Sequence, residues 1–472
     1  MPPESAKPSE RTDTSAEQTS DVVPFRAAVR AWFVISLQTF GGPAGQIAVM
    51  QRALVDDRRW VGQRRFSHAL SYCMLLPGPE AHQLAIYVGW LLNGLRGGLV
   101  AGVLFVLPGM VALLALSAIY VAFGDVSAVA ALFTGLGAAV VAIVVQAVLR
   151  VAERSLHHPA LVGIAVAAFL ALAVFGVPFP AVIAAAALAG WLAARHMPGL
   201  AAGGGHGPEQ DGPAPLIADD ALHAEAPSTR RTLRVLVVGL VLWAVPVGLV
   251  ALVTGVASIY TTQGLFFAGT ALVTFGGAYA VLAFVAQQAV QTFGWLTATD
   301  MVRGLGLAET TPGPLIMVVQ FVAFLGAYSD PGPFTPWVAG VVASLLVTWV
   351  TFVPSFLFIF LGAPYIERLR GNRSLAGALT GITAAVVGVI ANLALYFAVH
   401  TLFGATVTLD AGPLALLLPV PDSLRPVPVV IAAIAVLMVF ALRWPVLRVL
   451  GISAALGLAW GLLAPLAGVS PT

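Results

Sequence analysis

Apolar runs long enough to cross a bilayer follow one another along this chain, and only two long polar stretches interrupt them. Residues 1–24 are rich in Ser, Thr, Pro and Glu and lack the basic start and apolar core of a secretory signal, so they read as a disordered cytoplasmic tail. Residues 198–230 are dominated by Gly, Pro and Ala and read as a cytoplasmic linker. The linker separates a first apolar half, 25–197, from a helix at 231–257 and a second half, 258–472. A spanning helix needs about 20 apolar residues. By that measure 97–123, 128–149, 159–176, 179–196, 235–256, 337–362, 375–403, 427–442 and 445–467 read as spans. The run 67–95 is too short for two spans and is broken by Leu76-Pro77-Gly78-Pro79; 30–51 is broken at Gly41-Gly42-Pro43. Both read as re-entrant hairpins, repeated at 260–289 and 301–327; if the Gly-Gly segments instead cross completely, the number of spans changes.

The composition agrees with this pattern. Hydrophobic residues make up 59% and charged residues 9%, with a mean hydropathy of +0.94. Soluble proteins carry about 25% charged residues, so a soluble enzyme, a disordered regulator and a nucleic-acid binder are excluded. A net charge of +2 identifies no partner. With Cys73 the only cysteine, there is no intrachain disulfide and little material for a thiolate metal site. No metal and no cofactor are expected.

The two halves share landmarks in one register. Thr39-Phe40-Gly41-Gly42, Trp60 and Pro77-Gly78-Pro79 recur 235 positions later as Thr274-Phe275-Gly276-Gly277, Trp295 and Pro312-Gly313-Pro314. Further on the offset becomes 246, matching Pro108 with Pro354, Thr134-Gly135 with Thr380-Gly381, and Gln146 with Asn392. The extra residues fall around Tyr328–Pro336. Charges do not follow the repeat. Arg52, Arg58, Arg59, Arg64 and Arg65 have no basic counterpart in 287–300, which holds only Asp300; Arg368, Arg370 and Arg373 answer a window that holds only Asp125. Basic loops favour the cytoplasm, so equivalent loops are expected on opposite sides, as in inverted-repeat transporters. Arg26, Arg30, Arg96, Arg150, Arg154 and Arg195 are then placed inside. The expected fold is an all-α polytopic membrane protein of two homologous halves in inverted topology, its helices broken at Gly-Gly and Pro-Gly-Pro.

Broken helices at membrane depth occur where protein or water surrounds them. Pro79 and Pro314 suit a first helical turn, and a helix starting there would aim free N–H groups at the break. Four such breaks converging would form an electropositive cradle for a small anion. Any one of them alone reads as a packing kink; four in register favour a site. Glu80 either exchanges a proton, as an acid inside a membrane often does, or is a first-turn acid favoured by the dipole; Leu315 stands in its place in the second half. His82 reads more readily as packing than as a pH-sensitive group. Gln38, Thr39, Gln46 and Thr274 flank the Gly-Gly breaks, and Glu309, Thr310 and Thr311 precede the second Pro-Gly-Pro. They either donate to an oxyanion or cap broken helices. Gln146 and Asn392 either join helices or line the path. Arg96 either draws an anion to the mouth or anchors the topology. No Walker A sequence is present, so ATP is not expected as the direct driver.

Phe40-Gly41-Gly42-Pro43, Arg58–Trp60, the stretch LLPGPEAHQLAIYVGWLLNGLRGGLVAGVLFVLPG (75–109), and residues 274–296 and 306–328 together resemble the chromate ion transporter (CHR) family, in its long two-domain form. The resemblance covers nearly everything but tail and linker. It implies a secondary transporter in the cell inner (plasma) membrane, multi-pass, that expels chromate and confers resistance. The family's conserved blocks fall on Phe40–Pro43, Pro77–Glu80, Gln83, Gly276–Gly277 and Pro312–Pro314. The substrate-binding set expected here is Thr39, Phe40, Gly41, Gly42, Pro43, Pro77, Gly78, Pro79, Gln83, Thr274, Gly276, Gly277, Thr311, Pro312, Gly313 and Pro314. Glu80, Arg96, Gln146 and Asn392 are the candidates for coupling or gating. The expected partners are chromate, the lipid bilayer and a second copy in a homodimer, with no nucleic acid. The alternatives are a transporter of sulfate or another tetrahedral oxyanion and, less favoured, a membrane-embedded reductase, for which no flavin, haem or metal fingerprint is found.

Overall fold

The structure, a computed structural model, describes residues 22–124, 126–196, 216–217, 228–275, 277–362, 373–412 and 414–464. The first half comprises α1 (Phe25–Gln38), α2 (Gly42–Gln51), α3 (Gln63–Cys73), α4 (Glu80–Phe123), α5 (Ser127–Ser155), α6 (Pro159–Ala173) and α7 (Phe179–His196). Then follow α8 (Thr229–Thr254), α9 (Ile259–Leu272), α10 (Ala278–Gln287), α11 (Ala298–Thr310), α12 (Val318–Ser329), α13 (Pro336–Gly362) and α14 (Arg373–Leu402). A β-hairpin of β1 (Thr406–Ala411) and β2 (Leu414–Pro419) precedes α15 (Pro426–Val436) and α16 (Val446–Leu463). Among the described residues seven helices are long and apolar enough to cross a membrane. The molecule is a polytopic α-helical membrane protein. The hairpin is a strand element that hydropathy did not distinguish.

α4 is not one rod. Asn93 and Gly94 leave the helical region, Gly94 at φ +59°, and the chain folds back on itself. Gly89 then packs against Gly97 and Ala101, and Gly102 against Ile86. Residues 80–92 and 95–123 therefore lie antiparallel. In the second half the same hairpin is built from α12 and α13, where Gly340 packs on Phe324. The tight turn at Asn93–Gly94 is replaced there by residues 330–335, and the rest of the extra length around Tyr328–Pro336 extends α12 and α13.

The halves are interlocked by exchange. α5 packs on α15 and α16 of the second half, and α14 packs on α6 and α7 of the first. A Cβ at Gly135 would overlap the Ser453 carbonyl, and a Cβ at its counterpart Gly381 would overlap the Ala186 carbonyl. These are backbone-to-backbone helix crossings that only a missing side chain permits. At one end of the molecule, Tyr120 of α4 donates to Asp300 at the start of α11 and accepts from Arg303 Nη1 at 3.1 Å.

α8 has no buried residue and lies along the outside of α13 and α9. It is held by two exchanged indole bonds: Trp243 Nε1 donates to the Val350 carbonyl at 2.8 Å, and Trp349 Nε1 to the Leu242 carbonyl at 2.8 Å. A Trp349→Phe change is expected to remove about 1 kcal/mol and to let α8 separate first on heating. Faster crosslinking-sensitive loss of an α8–α13 cysteine pair in detergent would measure it.

Several expectations fall partly or wholly outside the described residues. These are 1–21 of the tail, most of the 198–230 linker, Asp125, Gly276, and the Arg368–Arg370 loop. From the linker, Leu216 and Ile217 are described: their amides bond to the Arg59 and Trp60 carbonyls at 3.1 and 3.0 Å, and Ile217 is buried against the first half's core. From the tail, Val23 is buried and its carbonyl accepts from Asn93 Nδ2 at 2.6 Å.

Candidate functional site

The chain breaks at matched places and the breaks meet across the molecule. α1 ends at Gln38 and α2 begins at Gly42, with Gly41 at φ +79° between them. α9 ends at Leu272 and α10 begins at Ala278, capped by Gly277 at φ +103°. Each Pro-Gly-Pro turn bonds to the opposite half. The Gly78 amide donates to the Thr274 carbonyl at 2.7 Å, and the Gly313 amide donates to the Thr39 carbonyl at 2.9 Å. The packing behind each turn is exchanged as well. Pro312–Gly313 rests on Gly109 of α4, and Gly78 faces Ser355, the residue 246 positions after Gly109. Gly109 follows Pro108 near the middle of the 95–123 rod, which sets the crossing about halfway along that helix.

Two side-chain amides brace these turns. Gln46 Nε2 donates to the Gly313 carbonyl at 2.6 Å, and Gln83 Nε2 to the Pro77 carbonyl at 2.7 Å. Both glutamines are buried. Beside the Gly78 turn, the Thr351 and Ser355 hydroxyls of α13 and Gln83 Oε1 are buried without a hydrogen-bond partner among the described residues. Thr351 and Ser355 are four apart and share a helix face. Buried polar atoms are nearly always satisfied, so these three are open to a water or a ligand. His82 is enclosed by the rings of Phe105, Phe352 and Phe356, which is packing.

Two details differ from the sequence expectation. Pro79 and Pro314 sit at the cap position rather than in the first turn: their ψ angles are extended, and the Pro79 carbonyl accepts the first helical bond, from Gln83 N at 3.0 Å. The glycine amides of the Pro-Gly-Pro turns are not bare, because the carbonyls of Thr39 and Thr274 occupy them. The threonine hydroxyls are committed too. Thr39 Oγ1 donates to Ser36, Thr274 Oγ1 to Thr270 and Thr311 Oγ1 to Ala308, all carbonyls of their own helices.

An open cleft of about 400 Å³ reaches the first break, lined by Phe40, Gly41, Ala44, Gly45 and Arg150 with Pro445–Leu447. Pro43 is the second residue of α2 and removes one amide from that end. Gly42 is buried, with the Tyr279 hydroxyl 3.8 Å from where its Cβ would stand. Tyr279 donates to Glu309 Oε1. Arg150 donates to Gln146 Oε1 at 3.0 Å, and its positive charge acts on both Glu309 and Tyr279. Glu80 is half-buried at the first position of α4, with Arg154 the charge facing it.

The structure thus brings together Thr39, Phe40, Gly41, Gly42, Pro43, Pro77, Gly78, Pro79, Gln83, Thr274, Gly277, Thr311, Pro312, Gly313 and Pro314, with Gln146 at the cleft through Arg150. Asn392 is half-buried in α14. Arg96 is exposed beside the Asn93–Gly94 turn. Residues 80–92 separate it from Pro79 by about 20 Å along the helix, so it does not touch the crossing. Sequence reasoning passed over Arg150 and Arg154 as topology markers and missed Tyr279, Thr351 and Ser355. Ser355 was reachable, since it follows Pro354 as Gly109 follows Pro108.

A family model described as Chromate transporter matches two stretches of the chain, residues 27–191 and 261–458. The chain is 32% identical over 394 residues to a chromate transport protein of Pseudomonas aeruginosa, covering 82% of this chain and 84% of that protein. It is 26% identical over 395 residues to a chromate transport protein of Cupriavidus metallidurans, covering 82% and 86%. To a probable chromate transport protein of Synechococcus elongatus it is 26% identical over 354 residues, covering 75% and 79%. No solved structure matches it.

Proposed function

The chain belongs to the chromate transporter family, and from that premise we propose that it is a secondary transporter that exports chromate across the inner (plasma) membrane and so confers resistance. The observation that carries the reading is the crossing itself: two carbonyl-to-amide bonds exchanged between the halves, beside a cleft that holds Arg150 and the Gly41 turn. Arg150 offers a forked donor to an oxyanion, and α2 presents its first amides to the same cleft. The hydroxyls of Thr351 and Ser355 supply neutral donors across the Gly78 turn. In the cleft itself one guanidinium and the α2 amides hold the dianion without trapping it.

The inverted arrangement belongs to this proposal. Its support is the opposite charge of equivalent loops together with the exchanged packing. The two Pro-Gly-Pro turns then act as pivots, each gripped by the other half, and rocking about them opens the cleft to one side or the other. A homodimer in the bilayer is compatible with this and is not required by it.

Voltage decides direction. Moving charge across the membrane is worth about 2.3 kcal/mol per elementary charge per 100 mV, so an inside-negative cell drives a dianion outward. The test is chromate flux in proteoliposomes under imposed voltage. Flux toward the positive side is expected. Sulfate offers the same tetrahedral dianion, so unlabelled sulfate is the discriminating competitor: full competition makes the protein a general oxyanion carrier. Voltage-independent flux, or reduction of chromate in place of transport, would overturn the reading. Arg150→Gln is expected to raise the half-saturating chromate concentration about tenfold, the loss of one charge-assisted contact. Initial rates into inside-out vesicles would measure it.

A further inference from the structure

We infer that Glu309 is the proton-carrying group of the transport cycle: it takes up a proton before an anion settles beside Arg150, and one proton travels with each dianion. This rests on the anion-transport reading above.

Glu309 is 2% exposed, three residues before Pro312 in the turn whose Gly313 amide grips Thr39. Its Oε1 accepts from the Tyr279 hydroxyl, which stands over Gly42 at the start of α2. The positive charge of Arg150 acts on this pair, and its side chain lines the cleft with Phe40 and Gly41. One guanidinium therefore serves two negative groups, the Glu309 carboxylate and whatever anion occupies the cleft. In a site this buried, two uncompensated negative charges cannot share one positive charge. With the cleft empty, carboxylate and guanidinium balance. When a dianion enters, a proton from the cytoplasm binds the second carboxyl oxygen, the Tyr279 bond stays on Oε1, and Arg150 turns its donors to the substrate. Outward, the proton leaves with the anion. The net charge moved with chromate is then one negative, which an inside-negative voltage still expels.

Glu80 does not fill this role. It is half-buried, and the positive charge acting on it is that of Arg154. Among the described residues, Arg150 of α5 is the charge that acts on Glu309 from the elements packed on α11. Arg303, on α11 itself, goes to Tyr120. His400 of α14 bonds to its own helix, and Arg448 of α16 lies over Trp444. Tyr328, the ionisable residue of α12, stands at that helix's far end. The position 235 earlier is Met74, so the acid exists in one half only and one proton per cycle follows.

The experiment uses the full chain in proteoliposomes, with chromate as substrate, an internal pH dye and imposed voltage. It is run over the alkaline range in which chromate stays a dianion. Flux through the wild type is expected to fall as pH rises, because the protonated form is the competent one, and protons should move in the same direction as chromate. Glu309→Gln should remove both the pH dependence and the proton movement, and double the charge moved per chromate. Tyr279→Phe withdraws a donor from the carboxylate and should shift the midpoint upward by about one pH unit, with proton movement kept. A Glu309→Gln protein that still moves protons, or a wild type whose protons run against the chromate, overturns the inference. If Glu309→Gln does not assemble, an unshifted Tyr279→Phe profile overturns it. A wild type that carries no chromate instead defeats the transport reading.

Discussion

Alanine at Gly78 is expected to reduce chromate transport by two orders of magnitude or more while the protein still reaches the membrane. Gly78 sits at φ +126°, where an L side chain is strained by about 1–3 kcal/mol. Its Cβ would stand 2.7 Å from Gln83 Nε2 and 3.1 Å from Ser355 Oγ. Gln83 must then leave the Pro77 carbonyl that it braces, and the turn shifts away from Thr274. A buried carbonyl left without its donor costs a further ~1–3 kcal/mol. Together these costs centre on ~4 kcal/mol, and at about 1.4 kcal/mol per factor of ten that midpoint corresponds to a loss of more than a hundredfold. Gly313→Ala should be milder. Its φ of +97° carries the same strain, yet its Cβ meets only ordinary contacts, 3.4 Å from the Phe105 carbonyl and 3.5 Å from Gly109 Cα. Efflux from vesicles, normalised to the amount of protein by immunoblot, tests both the loss and its order. Wild-type flux from Gly78→Ala would mean that the crossing is not where transport happens.

The register of that crossing was legible because Trp and Pro-Gly-Pro do not recur at one offset by chance in an Ala-rich and Val-rich chain. What the offset does not reveal is the partner. A repeat places Gly78 opposite Gly313 in sequence, but the bond it makes is to the other copy's threonine, and that depends on how two copies thread together in space. For the same reason the turn amides looked bare. Free donors are read from a broken helix viewed alone, and the acceptor comes from 196 positions away, Thr274 for Gly78. Arg150 was hidden by a rival explanation. A basic residue closing an apolar run satisfies the positive-inside rule, and only its place in the cleft lining beside Phe40 and Gly41 reveals the other role. The threonines around the breaks went the other way. Residue type made them plausible donors to an oxyanion, yet each hydroxyl returns to its own helix. The repeat also extends further than the sequence revealed: Ala186 and Gly190 answer Ser453 and Gly457, a match that small residues conceal in this composition.

Those small residues carry the second large effect. Valine at Gly135 or at Gly381 is expected to prevent the folded state rather than to impair transport. On α5 and α16 the crossing is made by Ala131 and Gly135 against Ser453 and Gly457; on α14 and α7 it is made by Gly377 and Gly381 against Ala186 and Gly190. Each helix offers two small residues four apart, the spacing that lets backbones touch in a membrane. A Cβ at Gly135 would overlap the Ser453 carbonyl and stand 3.1 Å from Ala454 Cα, and both are backbone that cannot swing aside as a flexible side chain does. Overpacking a well-fitted core costs typically 1–3 kcal/mol and more where backbone must move. Lipid tails are as apolar as the helix surfaces, so nothing drives the separated helices back together. Both crossings tie one half to the other. The expected result is aggregated protein on size-exclusion chromatography, or a midpoint of thermal unfolding lowered by many degrees. Valine at Gly163, where no atom lies within 4 Å of the added Cβ, should behave as wild type. Equal stability of the Gly135 and Gly163 variants would show that close helix crossing does not hold the halves together.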